Sequence, residues 1–514
     1  MRLGTTFNFI VILLILALGD GYFCKPAMAQ ESSQDSSQDS SSKPYDPLKA
    51  VYANLDHLKA YAQGFTLMQK GELREAEPLM SRILQFRPEN PAAMQNYGFL
   101  LLRLGKFEEA IKILNRALQL DPGQVPAWGN LGGAYASLGK IDDAVSAYKK
   151  YIELSKNDPQ IDVYKSMVTI LEDQAKRQSA YPEESKDDYY IDAISFKGKM
   201  NWPLGKNPIR VYVEPGDGKK DYKPLYMDLL KKAFWEWSQA SNDKIKFVFQ
   251  NESSGAQIYC RWTDSTENLI ARAEGGHAKV EYAGPVIGRS DITLLSISPC
   301  RAMPMNEQFA HRIYLHEIGH ALGILGHSRN SNDSLFCGVN LSIVDGKLSD
   351  RDKKTLYLLY QNQLAPQVVS AEDKKRREKN YGELVVFAEK AVNRGELEAA
   401  DDLYGRALKQ LLPFGFRDVR LATVLSRSGS LSLQMKKMLD AEITLRAAFN
   451  LMDNNDASDP EQFASCCKDL GNFYWQNKEK SEAKFYFERS LNLFKKLKRD
   501  AEVSELERSL KECL

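Results

Sequence analysis

Histidine and cysteine are both scarce in this chain, six and seven in 514 residues. The cysteines follow no zinc-finger spacing, which excludes a ligand framework built from them. Excess charge of one sign is also missing. Lys and Arg number 69 against 68 Asp and Glu, a formal net charge of +1. That balance gives no electrostatic case for a nucleic-acid partner. Long apolar runs are absent beyond the first residues, so no stable membrane span is expected. The one early run, Phe7–Leu18, follows Arg2 and precedes Ala27-Met28-Ala29. A basic start, an apolar stretch and an A-x-A site predict a signal peptide over 1–29, cleaved after Ala29. The mature chain is therefore expected to be secreted or periplasmic. Six cysteines follow the cleavage point: Cys260, Cys300, Cys337, Cys466, Cys467 and Cys513. An oxidising compartment makes a Cys300–Cys337 disulfide one possibility. The adjacent Cys466 and Cys467 read as buried helix positions.

The length predicts several domains. Residues 30–50 are rich in Ser, Gln and Asp and too polar to bury a core, so a disordered linker is expected. A 34-residue period follows within 51–178, in repeats at 57–90, 91–124 and 125–158. Gly64, Gly98 and Gly132 share one position of that period. Gly71, Gly105 and Gly139 share a second, and Ala76, Ala110 and Ala144 a third. Small residues suit close helix approach, and glycine suits the turn between helices. With phrases such as LGKFEEAIKILNRALQLDP, this stretch resembles the tetratricopeptide repeat. The segment 380–514 repeats more loosely, with anchors at Ala400, Ala441 and Ala483 and glycines at Gly429 and Gly471. It reads as divergent repeats of the same kind, closed by a final helix over Lys496–Leu514. Stacked helix pairs create grooves for peptides or proteins, so a protein partner is expected there; bracing the rest of the chain is the alternative.

Between the arrays, half of the histidines fall within twelve positions, in HEIGHALGILGHS at 316–328. Residues four apart share a helical face, so His316 and His320 point the same way with Glu317 beside them. Two imidazoles so placed can hold Zn²⁺ while the carboxylate polarises a metal-bound water. Gly323 lets the chain turn, and His327 can return as a third ligand. His311 is rotated off that face and reads as a surface or packing residue. His277, in EGGHAKVEY, reads as a solvated loop residue.

These residues resemble the metzincin clan of zinc peptidases, and its matrixin branch most closely. The match runs through Gly323, with Ser328 after the last histidine. His327 lies one residue later than in the matrixin pattern, because Gly326 adds a position. No methionine stands between Met305 and Met435, and Leu335 takes the place of the apolar residue the clan sets beneath its metal. The resemblance implies a matrixin-like α+β domain over 190–365. It implies Zn²⁺ on His316, His320 and His327, and Glu317 as general base in peptide-bond hydrolysis. It also implies an extended peptide or protein substrate paired with an edge strand, expected near Ile292–Ile297. The expected whole is multidomain: a helical solenoid, a central α+β metallopeptidase domain, and a second helical-repeat array. The alternative is an extracytoplasmic tetratricopeptide scaffold whose central domain is weak or inactive.

Overall fold

The computed structural model describes residues 47–155, 158–179, 199–269, 275–297, 305–328, 330, 333–335, 347–364, 369–455 and 459–513. The expected signal peptide, its cleavage site and the Cys300–Cys337 pair lie outside these residues. The Ser-rich segment does too, except that helix α1 already starts at Pro47.

Seven helices form the first array: α1 (Pro47–Lys70), α2 (Leu73–Phe86), α3 (Pro91–Arg103), α4 (Phe107–Leu120), α5 (Val125–Ser137), α6 (Ile141–Leu154) and α7 (Ile161–Ser179). They pack as sequential antiparallel pairs. At Gly98 an added Cβ would lie 2.6 Å from Leu114 Cγ, and at Gly132 2.5 Å from Tyr148 Cδ1. Larger residues there would push the two helices of a pair apart. Ala76, Ala110 and Ala144 are wholly buried at the same contacts.

The centre is a five-stranded sheet of β1 (Ile209–Val213), β2 (Phe247–Gln250), β3 (Ile258–Thr263), β4 (Gly276–Ala283) and β5 (Val286–Leu295). The strand order is β2-β1-β3-β5-β4. All neighbours are parallel except β4, which runs antiparallel to β5. The segment near Ile292–Ile297 is therefore not the edge as expected. Ile292 pairs with Cys260 on one side and Ala278 on the other; the edges are β2 and β4, and β4 is the one beside it. β5 lies inside the sheet because it is hydrogen-bonded on both sides, to β3 and to β4.

Helices α8 (Leu225–Ala240) and α9 (Glu307–Ala321) cover one face of the sheet, and α10 (Asp350–Leu364) closes that layer. Their contacts are anchored by polar tips of large buried residues. Trp237 Nε1 donates to Leu315 O at 2.9 Å, Trp202 Nε1 to Ala321 O at 2.9 Å, and Tyr360 Oη to Leu322 O at 2.9 Å.

The second array holds α11 (Ala371–Asn393), α12 (Leu397–Leu411), α13 (Val419–Gln434), α14 (Met438–Asn454), α15 (Pro460–Gln476), α16 (Lys480–Lys496) and α17 (Asp500–Cys513). The final helix thus begins at Asp500; Lys496 ends α16, and Lys498 turns the chain at φ +56°. Ala400, Ala441 and Ala483 are wholly buried, as are Cys466 and Cys467. A Cβ on Gly429 would lie 2.6 Å from Leu445 Cγ, the same close approach as in the first array. This array covers the other face of the sheet through α14 and α16. Gly288 of β5 lies so close to α14 that a Cβ there would sit 3.0 Å from Ile443 O.

Candidate metal centre

Helix α9 carries the candidate site. Asn306 caps its start, accepting from Phe309 N at 2.8 Å. The helix ends where Gly323 adopts φ +100°. Few side chains tolerate that conformation, and a Cβ there would run into Met200 O. The chain can turn back only because residue 323 is glycine.

After that turn His327 returns to the helix. His320 Nε2 lies 3.0 Å from His316 Nε2 and 3.2 Å from His327 Nε2. Among the described residues this trio is the one group of three or more potential metal ligands found together. The extra residue Gly326 is absorbed in the turn without moving His327 out of reach. Nitrogens at about 2.0–2.1 Å from one tetrahedral zinc stand about 3.3 Å apart. Two of the three separations lie near that value and all three donor atoms lie within 4.8 Å of one another, a donor set of the kind such an ion takes.

Both helical imidazoles are oriented by backbone carbonyls. His316 Nδ1 donates to Ser334 O at 3.0 Å and His320 Nδ1 to Ile324 O at 2.7 Å. A carbonyl only accepts, so the proton sits on Nδ1 and each Nε2 presents a lone pair. Burial pushes the His316 pKa down to about 4. The His320 pKa falls well below its ordinary value, first through burial and then through the adjacent His316 and His327. At neutral pH these rings are uncharged, the form that binds metal.

Glu317 is buried one residue along the helix. A Cβ on Gly276 would lie 2.7 Å from its Cγ and 3.0 Å from its Oε1. Edge strand β4 therefore begins directly against the Glu317 side chain. The Gly275–Gly276 pair is the sequence signal for this close approach. Beneath the helix, Leu335 is wholly buried and a Cβ on Gly319 would meet its Cδ1 at 2.6 Å. Leu335 thus packs under the histidine-bearing helix.

His311 is buried against α8, its Nε2 3.4 Å from Glu236 Oε1, a packing role. His277 is not in a loop. It stands on β4, half-buried, paired with Thr293, because the glycines ahead of it let the strand start early. Burial lowers its pKa, and it adds slightly to the depression at His320. Sequence reasoning missed Ser334, which contributes only its main chain, and Asp352, discussed below.

Residues 67–119, 101–162 and 464–496 match family models described as tetratricopeptide repeat. None of the matched residues falls within 199–364. No curated protein matches this chain. The first tetratricopeptide domain of Spaghetti (RPAP3), solved with an HSP90 peptide, is 22% identical, covering 24% of this chain and 94% of its own, with TM-score 0.22. A mutant O-GlcNAc transferase from Thermobaculum terrenum is 17% identical, covering 41% of this chain and 38% of its own, with TM-score 0.24. No helix among the described residues is long and apolar enough to cross a membrane. Residues 67–162 and 464–496 are tetratricopeptide repeats, and the chain that carries them is largely helical, with one small sheet at its centre.

Proposed function

We propose that this chain is a zinc-dependent endopeptidase held between two protein-binding repeat arrays. The observation that carries the reading is the convergence of the Nε2 atoms of three imidazoles next to the buried Glu317. His316, His320 and His327 would hold the ion. Bound zinc supplies a Lewis acid for the substrate carbonyl and acidifies water. Glu317 takes a proton from the attacking water and returns it to the leaving amine. An extended peptide adds to the free edge of β4, whose first residue touches Glu317, so main-chain hydrogen bonds align the scissile bond. The repeats recruit the protein that supplies that peptide.

A second reading is favoured by where the family matches fall, in the repeats and outside 199–364. Under it the chain is a tetratricopeptide scaffold whose histidine cluster binds zinc without turnover. One experiment separates the two. The full chain is assayed for bound zinc and for cleavage of a mixed peptide library, alongside Glu317→Gln. The peptidase reading expects one zinc in both proteins and at least about a hundredfold loss of cleavage in the variant, as for loss of a general base. Stoichiometric zinc in a wild type that cuts nothing selects the scaffold.

A further inference from the structure

The segment that follows His327 is held by two buried carboxylates. Asp352 and Asp333 are 0% and 3% exposed. Asp352 lies in the first turn of α10, three residues after Ser349. Ser349 N donates to Asp352 Oδ2 at 2.7 Å, and Asp352 N donates to Ser349 Oγ at 3.0 Å. That reciprocal pair is a capping box, which normally needs nothing more. Here the same carboxylate also accepts from Ser334 N, at 2.9 Å through Oδ2 and 3.1 Å through Oδ1. Ser334 is the residue whose carbonyl orients His316. One peptide unit further, Leu335 O accepts from Ser328 N at 2.7 Å, and Ser328 directly follows His327. Asp333 ties the same stretch to α10 from the other side. It accepts from Ser328 Oγ, from Ser349 Oγ at 2.7 Å, and from Arg351 Nε at 3.0 Å.

We propose that Asp352 is a positioning residue for the histidine site, acting through the backbone of Ser334. The inference rests on the zinc reading above. A helix cap alone would not spend both carboxylate oxygens on an amide eighteen residues away in sequence. The Ser334 amide has no strand or helix partner, so Asp352 sets where its carbonyl points. That carbonyl in turn fixes the tautomer and rotation of His316. Outer contacts of this kind commonly change metal affinity by about 10- to 100-fold.

The test compares three full-length proteins: wild type, Asp352→Ala and Ser349→Ala. The serine variant removes the side-chain half of the cap and one of the three side-chain bonds to Asp333, but leaves both bonds from Ser334 to Asp352. Zinc affinity is read by competition with a chromogenic chelator, and ligand geometry by the absorption bands of the cobalt-substituted protein. Folding is checked by circular dichroism. The expected result is a zinc affinity about 10- to 100-fold weaker and altered cobalt bands in Asp352→Ala, with Ser349→Ala within about threefold of wild type. Equal losses in the two variants, or none in a folded Asp352→Ala, overturn the positioning role while leaving the zinc reading intact. A wild type that takes up no zinc overturns the zinc reading instead. The positioning role is then decided in the metal-free proteins by exchange of the Ser334 amide, which should be faster in Asp352→Ala alone. Should Asp352→Ala not fold, Asp352→Asn takes its place; it keeps one acceptor and should give a smaller loss of the same kind.

Discussion

At the scale of single residues, the site depends on a glycine as much as on its histidines. His316 and His320 are placed by helical period, but His327 must cross a reversal of the chain. Gly323 makes that reversal at φ +100°, where an added Cβ would lie 2.1 Å from Met200 O. Gly323→Ala should therefore cost more than about 1 kcal/mol, since both the conformation and the space are wrong for a Cβ. Unfolding by urea measures the cost. Zinc uptake should fall with it, because the displaced turn carries His327. A Gly323→Ala protein as stable as wild type would mean that the turn relaxes, and His327 would then have no fixed place. By contrast, Gly326 needs no special role; it lengthens the turn, and the third imidazole still arrives within 3.2 Å of His320 Nε2.

At the scale of elements, legibility followed the chemistry of the turns. In the first array the turn residues Gly71, Gly105 and Gly139 have φ of +86°, +76° and +70°. Glycine at a fixed spacing is visible in a sequence, so those repeats could be aligned by eye. In the second array the same left-handed turn is made by Lys436 at φ +58°, Lys478 at +63° and Lys498 at +56°. Lysine carries no such signal, and only Gly395 keeps the pattern. The buried alanines still mark the register of these repeats, whereas nothing in the sequence marks the left-handed turn at Lys498 that sets the start of the last helix at Asp500. A left-handed lysine is strained by about 1–2 kcal/mol relative to the ordinary helical region. Lys478→Gly should recover roughly 0.5–1 kcal/mol after the flexibility of glycine in the unfolded chain is counted. Thermal unfolding reads this as a rise in Tm; an unchanged or lower Tm would show that the lysine side chain contributes more than its backbone costs. The candidate site was legible for a similar reason. HEIGH states its geometry by spacing, whereas Ser334 acts through its main chain and Asp352 across a gap no local pattern spans. The edge near Ile292–Ile297 was implied by the resemblance alone; strand order depends on pairings distant in sequence, and these put β5 inside and β4 at the edge beside it.

At the scale of the whole molecule, the second array completes the sheet. A mainly parallel sheet needs both faces covered. Helices α8 and α9 supply one cover, and α14 and α16 supply the other. That contact is unusually polar for an interior, and so its residues read as surface in the sequence. Asn450 Nδ2 donates to Ile287 O and Gly288 O at 3.0 Å each, and Gln257 Nε2 donates to Asn450 Oδ1 at 2.8 Å. Arg210 Nη1 pairs with Asp453 at 2.9 Å. Tyr259 donates to Glu482, and burial among these groups pushes its pKa up. At the centre, Arg446 is 2% exposed. Its Nε donates to Tyr474 Oη at 2.6 Å and faces Glu442 at 3.3 Å, and its Nη1 donates to Ala256 O at 3.2 Å, next to β3. Removing one partner of such a buried set leaves the others uncompensated, at a cost of about 3–5 kcal/mol. Arg446→Ala should therefore lower the stability of the sheet and of the second array together. The measurement is denaturant unfolding followed by hydrogen exchange at two sets of amides, those of β1–β5 for the sheet layer and those of α14–α16 for the repeats. Coincident shifts of both probes mean that repeats and sheet form one cooperative unit. A shift confined to the repeats would separate the two layers and return the second array to the role of an independent binding arm.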